Sequence, residues 1–233
     1  MRINEFENKP LYHGTKTIAA AKAIIQSGII EAQCDIKMGR KPRGALTPIQ
    51  GHCYLTPNIK YACIYALGGN MVGMDYKLRN GEDRYGYVFV VRDSSSLALV
   101  PDEDEIGHYL REAPDIINDK YYNRHMDNLA FGEAMGKDKS LASEMIAIAN
   151  TYLTDRQKQR LWHDYEYDIM AIAGKKLMKY ISDSAKQKLI KMGCHVSTPE
   201  KVPFDEVWRL DKTKNTEIGF QAQYFFEVAK RIK

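Results

Sequence analysis

Hydrophobic positions are spaced differently in the first 101 residues than in the rest of the chain. Short apolar runs, separated by glycine and polar residues, are typical there of strands that alternate with short helices. Apolar residues recur at helical spacing from Thr17 to Ser27, and Gly28 predicts the helix C-cap. Thr56-Pro57 predicts the start of a second helix, which continues to about Leu67. The strands are predicted at residues 11–13, 53–55, 86–91 and 97–100.

Residues 102–192 show mainly the 3.6-residue spacing of helices. Thr154 and Gln157 have the spacing of a capping box, ahead of a long predicted helix that carries apolar residues as far as Ile172. The remaining elements are predicted as a helix over 184–192 that ends at Gly193, strands at 194–196 and 207–210, and a last helix from Ile218 to Lys233. This order predicts one α+β domain over residues 1–233, with a helical insertion at about 106–192.

Composition excludes some classes of protein and leaves the chemistry open. Of the 233 residues, 44% are hydrophobic and 27% are charged, which is a globular balance rather than a disordered one. No apolar run approaches the ~20 residues that cross a bilayer, and the polar N-terminal segment is unlike a secretory signal. We therefore expect a cytoplasmic protein without a membrane partner. A net charge of +4 permits a polyanionic partner without requiring one.

The cysteines do not form a recognisable framework. They are scattered, with no CxxC pair, so a disulfide-built fold is not expected. His52, Cys53 and the Cys194-His195 pair lack the ligand spacing of structural zinc sites, and no metal is predicted. The sequence favours reduced thiols in or near the core for Cys34, Cys53, Cys63 and Cys194.

Three short segments carry the candidate chemistry. They are LYHGTK at 11–16, YLTPNIKYACIYA at 54–66 and GYVFVV at 86–91, whereas the common nucleotide-binding, zinc-protease and serine-hydrolase motifs are missing. Each segment is weak by itself, and their order is more specific. A strand ends in His-Gly-Thr, a helix follows, a second strand carries Tyr54, and the next helix carries Tyr65.

In these segments the chain resembles the ADP-ribosyltransferase superfamily, in the branch of diphtheria-like toxins, poly(ADP-ribose) polymerases and rifampin ADP-ribosyltransferases. The resemblance covers residues 10–106 and resumes at 193–211. It implies a split pair of small antiparallel sheets with an NAD cleft, in which the helices between the two segments form the insertion. NAD would be a co-substrate, cleaved with release of nicotinamide.

The resemblance also implies roles for five residues. His13 would hold a ribose hydroxyl of NAD, the backbone of Gly14 would clamp the nicotinamide amide, and Thr15 occupies the small hydroxyl position. Tyr54 and Tyr65 would sandwich the nicotinamide ring. Physical chemistry agrees, because tyrosine offers a rigid π-face to a cationic ring and glycine lets backbone groups approach a flat ligand.

The catalytic acid is left open among three residues. Cleavage of the nicotinamide–ribose bond develops positive charge on the ribose, so a carboxylate is expected nearby. The family's usual glutamate position maps to 194–196, which holds Cys-His-Val. Glu103 and Asp104 follow a predicted strand and are the first candidates, although acids there also suit a helix start capped by Asp102. Glu200 is the alternative.

A basic loop precedes the second tyrosine-bearing strand. Arg40 and Arg43 lie in it and would reach the pyrophosphate of NAD or a phosphate of a nucleic-acid target, although a solvated loop explains them equally well.

The function implied by the resemblance is mono-ADP-ribosylation of a macromolecular acceptor, protein or nucleic acid. By family analogy alone, such an enzyme fits a toxin, defence or phage host-takeover role in its own or a host cell, with an antitoxin or other neutralising partner. The alternative is a catalytically silent module that binds NAD, ADP-ribose or nucleic acid. An RNA 2′-phosphotransferase is a third, less favoured use of the same fold.

Overall fold

The computed structural model describes residues 9–31, 51–67, 81–123, 129–164, 167–212 and 230–231. The chain divides into two compact units. The first comprises residues 1–33, 51–98 and 198–233, and the second comprises residues 34–50 and 99–197. The protein is mixed α and β, with small antiparallel sheets and, in the described part of the chain, eight α-helices. The expectation of a single domain with an insertion stays a prediction.

The elements are short, and their bounds are as follows. The strands are β1 (Leu11–Thr15), β2 (Ile29–Ile30), β3 (Cys53–Leu55), β4 (Tyr85–Val91), β5 (Val100–Pro101), β6 (Val196–Thr198), β7 (Val202–Pro203), β8 (Glu206–Asp211) and β9 (Lys230–Arg231). The helices are α1 (Ile18–Ser27), α2 (Ile59–Ala66), α3 (Glu103–Ile117), α4 (Leu129–Met135), α5 (Lys139–Tyr152), α6 (Asp155–Trp162), α7 (Tyr167–Leu177) and α8 (Asp183–Met192), with a 3-10 helix at Met178–Tyr180.

The first unit is built on an antiparallel sheet of order β1-β4-β8-β9. β4 is its apolar centre, and six of its seven residues are buried. Its register sets His13 opposite Phe89 and Phe89 opposite Val207. Directly opposed residues of antiparallel strands share a face, so these three side chains lie on one face of the sheet. A separate antiparallel pair, β2 and β7, also lies in this unit.

Helix α2 covers the other face of this sheet. Its small buried residues pack on Val88 and Leu210, so the helix backbone comes unusually close to the strands. A Cβ atom at Gly86 would stand 2.0 Å from the carbonyl oxygen of Ala66, which is why glycine is needed at that point. The cluster contains Ala62, Cys63 and Ala66 of α2, together with Leu67, which caps its C-terminus.

The second unit is a helical cluster around α3. The indole Nε1 of Trp162 donates to the Leu110 carbonyl at 2.9 Å, and the Tyr109 hydroxyl donates to the Asp138 carbonyl at 2.9 Å. Helices α3 and α7 touch through glycine, because a Cβ atom at Gly174 would lie 1.9 Å from the Glu103 carbonyl oxygen. Within this unit β5 pairs with β6, where Val100 is opposite Ser197.

Several predicted element ends are confirmed. Thr17 caps α1 by accepting from the Ala20 amide, and Gly28 ends that helix with a left-handed φ of 71°. Both hydrogen bonds of the predicted capping box are formed between Thr154 and Gln157. Gly193 ends α8 with a φ of 92°.

The prediction that α2 starts at Thr56-Pro57 is wrong. Thr56 is still extended, because its backbone forms a bridge with Tyr12, and its hydroxyl accepts from the Asn58 amide at 3.0 Å. Asn58 is the residue that caps the helix, by accepting from the Lys60 amide. A cap and a residue pairing with a neighbouring strand look alike in sequence.

Three further elements differ from their predictions. The strand expected at 97–100 is reduced to Val100–Pro101, since the Leu97 amide closes a turn on the Ser94 carbonyl. The long helix expected through Ile172 is two helices, α6 and α7. Cys194 and His195 precede β6 rather than forming it.

The last predicted helix, 218–233, falls largely outside the described residues. Lys230 and Arg231 are described, and they form β9 opposite β8, so the helix prediction is wrong at these two positions. Strand pairing along β8 replaces helical hydrogen bonds there.

Cys53, Cys63 and Cys194 are buried and free, as expected, and Cys34 lies outside the described residues. In the part of the chain that the structure describes, no helix is both long enough and apolar enough to cross a bilayer.

Candidate functional site

His13 lies in the middle of β1, and its ring has a defined hydrogen-bond state. Nδ1 lies 2.9 Å from the carbonyl oxygen of Tyr54. A carbonyl only accepts, so Nδ1 must carry the hydrogen and Nε2 is left as an acceptor. Burial lowers the pKa of His13 below its ordinary 6.5, and the bond to the Tyr54 carbonyl only partly opposes this. The ring is therefore neutral at physiological pH.

Gly14 is the residue of β1 at which helix α2 comes closest to the strand. A Cβ atom at this position would stand 2.1 Å from the Ala62 carbonyl oxygen and 2.9 Å from Cβ of Tyr65. Helix α2 occupies the space that a side chain at position 14 would need. Close packing therefore requires glycine there, in addition to the ligand approach expected from the sequence. The same contact fixes the base of Tyr65 against β1.

The backbone groups of Gly14 point along the sheet, away from β4. The Tyr12 amide donates to the Thr56 carbonyl at 2.8 Å, and the Thr56 amide donates to the Tyr12 carbonyl at 2.9 Å. Alternate residues of a strand direct their N–H and C=O groups to the same side. The N–H and C=O of Gly14 therefore face the side of β1 on which Thr56 lies, next to one another. Among the described residues, the bridge that β1 forms on this side is the one between Tyr12 and Thr56.

Tyr54 and Tyr65 approach Gly14 from two elements. Tyr54 is two residues before Thr56, and Gly14 is two residues after Tyr12, so strand alternation sets Tyr54 on the face of β1 that α2 covers. Tyr65 extends from α2 and is 57% exposed. Tyr65 thus packs against Gly14, and Tyr54 belongs to the same face of β1.

His13 belongs to the opposite face of β1. Its ring centroid lies 6.4 Å from that of Phe89, which in turn packs edge-on against Phe204 at 5.0 Å. A ligand that touches both the His13 ring and the tyrosines would pass along the edge of Gly14 that faces away from β4. This gives Gly14 a central position between the two groups.

Two residues that the sequence did not single out support this region. Tyr61 forms an edge-to-face ring pair with Tyr65 at 5.2 Å, and the spacing of four residues on one helix was a usable signal. The ammonium group of Lys212 is buried and donates to the Lys16 carbonyl at 3.0 Å, directly after Thr15. No local sequence signal marks Lys212, because its partner is nearly two hundred residues away.

Thr15 ends β1 opposite Tyr87 and is half-buried. The expected phosphate-binding residues Arg40 and Arg43 lie outside the described residues.

The first two acid candidates begin α3 in the second unit. Glu103 is only 2% exposed. Asp104 is partly buried, and burial together with the neighbouring Glu103 raises the pKa of Asp104 to about 6. Asp102 caps the helix by accepting from the Asp104 amide at 3.0 Å, as the helix-start alternative predicted. Burial and the adjacent acids raise the pKa of Asp102 to about 8.

A buried histidine adjoins this acidic helix start. The Nδ1 atom of His195 lies 3.2 Å from Oε1 of Glu105, and the His195 carbonyl accepts from the Asp102 amide at 2.9 Å. Cys194, the residue before His195, is fully buried, and burial raises the pKa of its thiol well above the ordinary value. The residues at the family's usual glutamate position thus belong to this interior cluster.

Glu200 lies in the first unit, in the turn after β6. Its Oε2 accepts from the Ala98 amide at 2.7 Å, and its own amide donates to the Thr198 hydroxyl. Glu200 is exposed, and its carboxylate is hydrogen-bonded to the loop that contains Ala98. Among the described residues there is no group of three or more His, Cys, Asp or Glu side chains that would hold a metal ion.

Comparisons of this chain with protein-family models, with curated proteins and with solved structures find no match.

Proposed function

We propose that the protein is an NAD-dependent ADP-ribosyltransferase that uses the first unit to bind the nicotinamide half of NAD. The geometry that supports the proposal is at Gly14: strand alternation directs its N–H and C=O to the side of β1 on which Thr56 lies, and the base of Tyr65 packs against it. A primary carboxamide offers the complementary pair, a C=O and an N–H, so it would bind Gly14 as a neighbouring strand does.

The tyrosines suit the ring that carries this carboxamide. Nicotinamide in NAD is a flat cation, and aromatic faces attract it by stacking and by the cation–π interaction. Tyr65 has its base fixed against Gly14 and its ring held edge-on by Tyr61, so little freedom is lost when it stacks.

His13 would serve the adjoining ribose. With Nδ1 committed to the Tyr54 carbonyl, Nε2 is a lone-pair acceptor for a ribose hydroxyl. Because the ring stays neutral, it adds no positive charge beside the ribosyl cation that forms during cleavage.

The reaction is a nucleophilic substitution at the ribose carbon. The bond from C1′ to the nicotinamide nitrogen breaks, and its electron pair returns to the ring, which leaves as neutral nicotinamide. A nucleophile of the acceptor bonds to C1′ and releases its proton. A carboxylate stabilises the ribosyl charge or takes that proton. Glu200 is the candidate within the first unit, and Glu103 and Asp104 are the candidates that the sequence named.

The experiment that tests the site compares nicotinamide with nicotinic acid as inhibitors of NAD binding. Nicotinamide competes, and nicotinic acid competes poorly because its carboxylate has no donor for the Gly14 carbonyl. His13→Ala should weaken NAD binding by about 1–3 kcal/mol without unfolding the protein. Equal competition by both ligands would refute the Gly14 clamp, and a destabilised His13→Ala variant with full NAD affinity would make His13 a core residue.

The experiment that tests the activity uses labelled NAD with cell extract. Release of nicotinamide and transfer of label to a macromolecule are expected, and digestion of the product by protease or nuclease identifies the acceptor class. The label must not transfer when the protein is omitted, and its transfer must fall with the His13→Ala variant.

A module that binds NAD or ADP-ribose without turnover is the second candidate. The surroundings of the acids favour it, since Glu103 is buried, Asp104 has a raised pKa and Glu200 is tied to the Ala98 amide. NAD binding without nicotinamide release in any extract would select this candidate.

A further inference from the structure

The connection from β1 to α1 is held by two groups from elsewhere in the first unit. The ammonium group of Lys212, the residue after β8, donates to the Lys16 carbonyl at 3.0 Å. Oδ2 of Asp83, which lies two residues before β4, accepts from the Ile18 amide at 2.6 Å. The chain that follows the His-Gly-Thr segment is therefore fixed at two points, one on each side of Thr17.

The side chain of Lys212 is buried, which is rare for lysine. It is 2% exposed, and among the described residues its carboxylate partner is Glu82, which lies 3.5 Å away and is 24% exposed. Burial of an ammonium group costs free energy unless polar and charged partners compensate it. An apolar side chain of similar length would fill the same space without that cost. The bond to the Lys16 carbonyl therefore explains the charge at position 212 better than packing does.

The same bond limits the length of the outward-facing edge of β1. Tyr12 and Gly14 direct their backbone groups away from β4, and the Tyr12 groups are bonded there to Thr56. In a continuing strand, Lys16 would be the next residue to do so. Its carbonyl is bonded to Lys212 instead, so Gly14 lies between two residues whose carbonyls are already hydrogen-bonded. An edge of this length suits one carboxamide better than an extended peptide.

We propose that Lys212 is a positioning residue of the nicotinamide site and that, through the Lys16 carbonyl, it sets the orientation of the Gly14 backbone. The inference rests on the proposed NAD-binding function. Lys212 does not touch the ligand. Its effect falls on the carboxamide end of NAD, because the carbonyl that it holds is two residues from Gly14. The His13 ring is held separately by the Tyr54 carbonyl, so the contact to the ribose does not depend on Lys212.

The test measures how nicotinamide and nicotinic acid compete with labelled NAD for the full chain. The parent protein should prefer nicotinamide. Lys212→Met should lower this preference, taken as the ratio of the two inhibition constants, by at least about fivefold, as expected when one hydrogen bond to the carboxamide is lost. Lys212→Arg keeps a donor for the Lys16 carbonyl and should retain more of the preference than Lys212→Met. Melting by circular dichroism verifies that both variants fold.

Arg84→Met is a control that is matched in charge and in place. Arg84 joins the same ends of β4 and β8 by its ion pair with Asp211, at 2.7 Å. Among the described residues, its side chain contacts Asp211 and the Tyr85 ring, and these belong to β8 and β4 rather than to β1. The control removes one positive charge and one link between the two strands, but it leaves the Lys16 carbonyl bonded. It should therefore keep the preference for nicotinamide.

The outcomes distinguish this inference from the proposed function. If the parent protein does not prefer nicotinamide, the Gly14 clamp is refuted and the role of Lys212 is refuted with it. If the parent prefers nicotinamide and Lys212→Met keeps that preference, the clamp stands and only the role of Lys212 is overturned. Equal losses in Lys212→Met and Arg84→Met would show general loosening of this end of the sheet. That result, or a Lys212→Met variant that does not fold, would make Lys212 a structural residue and overturn the inference.

Discussion

His13 in the first unit and His195 in the second each set Nδ1 close to an oxygen atom, but the oxygens belong to different kinds of group. Each uses Nδ1, but His13 faces the neutral carbonyl of Tyr54, whereas His195 faces the carboxylate of Glu105. The carbonyl fixes one tautomer and leaves Nε2 for a ligand. The carboxylate joins the ring to an interior acid cluster. The comparison teaches that a histidine's use is decided by its partner, and the partner is set by the fold.

Glycines show the same contrast between the units. Gly14 admits α2 onto β1, and its backbone edge stays directed outward. Gly174 admits α3 onto α7, and the Glu103 carbonyl fills the space. At Gly14 the close contact lies on one face of β1 and leaves the backbone edge of the strand facing outward. At Gly174 the close contact lies at Glu103, which is buried.

Gly14→Ala should have the largest effect. The new methyl group meets the Ala62 carbonyl, so we expect a loss of roughly 3 kcal/mol in the free energy of unfolding and loss of NAD binding as α2 shifts. Urea unfolding and calorimetric titration measure both. Gly28→Ala is the control, because its Cβ meets nothing but its φ of 71° is strained, at roughly 1–2 kcal/mol. If both variants lose the same stability, α2 does not pack on Gly14 as described.

The acids of the second unit give the next largest effect. If either acts on the ribosyl cation, Glu103→Gln or Asp104→Asn lowers turnover by at least ~100-fold with NAD affinity retained. Asp102→Ala is the matched control, since loss of the helix cap costs about 1 kcal/mol of stability and spares activity in the folded protein. Full activity in both acid variants moves the test to Glu200→Gln. Activity in all three would remove the carboxylate from the proposal.

Tyr65→Ala should weaken NAD binding by ~1–2 kcal/mol, and Tyr65→Phe should have little effect, because stacking needs the ring and not the hydroxyl. Tyr122→Ala, at a 77% exposed tyrosine of the second unit, is the control. Unchanged NAD affinity in a folded Tyr65→Ala variant would exclude Tyr65 from the site.

The two units should respond to pH in opposite directions, by about 1 kcal/mol or more. The pKa of Asp102 is raised to about 8, so the native state keeps a proton that the unfolded chain releases near its ordinary value of 3.8. The second unit therefore loses stability as the pH rises between these values. The pKa of His13 is lowered, so the unfolded chain binds a proton that the native ring does not, and the first unit loses stability as the pH falls through 6.5.

Hydrogen-exchange protection factors for peptides of β1 and α3, at about pH 5 and about pH 8, measure this difference. Asp102→Asn keeps an acceptor for the helix cap and should flatten the profile of α3 alone. Parallel profiles in both units would contradict the assigned causes.

Much of the local structure was predictable because its signals are local. The helix ends at Thr17, at Gly28 and at the Thr154–Gln157 box depend on hydrogen bonds within one turn of helix. The apolar run of β4 predicts a buried strand without reference to its neighbours. Predictions failed where a distant segment competes for the same backbone. Thr56 pairs with Tyr12 instead of capping α2, and Lys230–Arg231 pairs with β8 instead of continuing a helix.

The sequence by itself determined which residue types stand at the candidate site: a histidine, a glycine and two tyrosines in a fixed order. Only the tertiary structure decided their geometry. The Tyr12–Thr56 bridge turns the Gly14 backbone outward, and the register with β4 sets His13 on the opposite face from α2. The same holds for Glu103, which is a helix-start residue by sequence and is almost fully buried by packing. Hydrogen-bond direction and burial depend on partners far along the chain, and no local pattern specifies them.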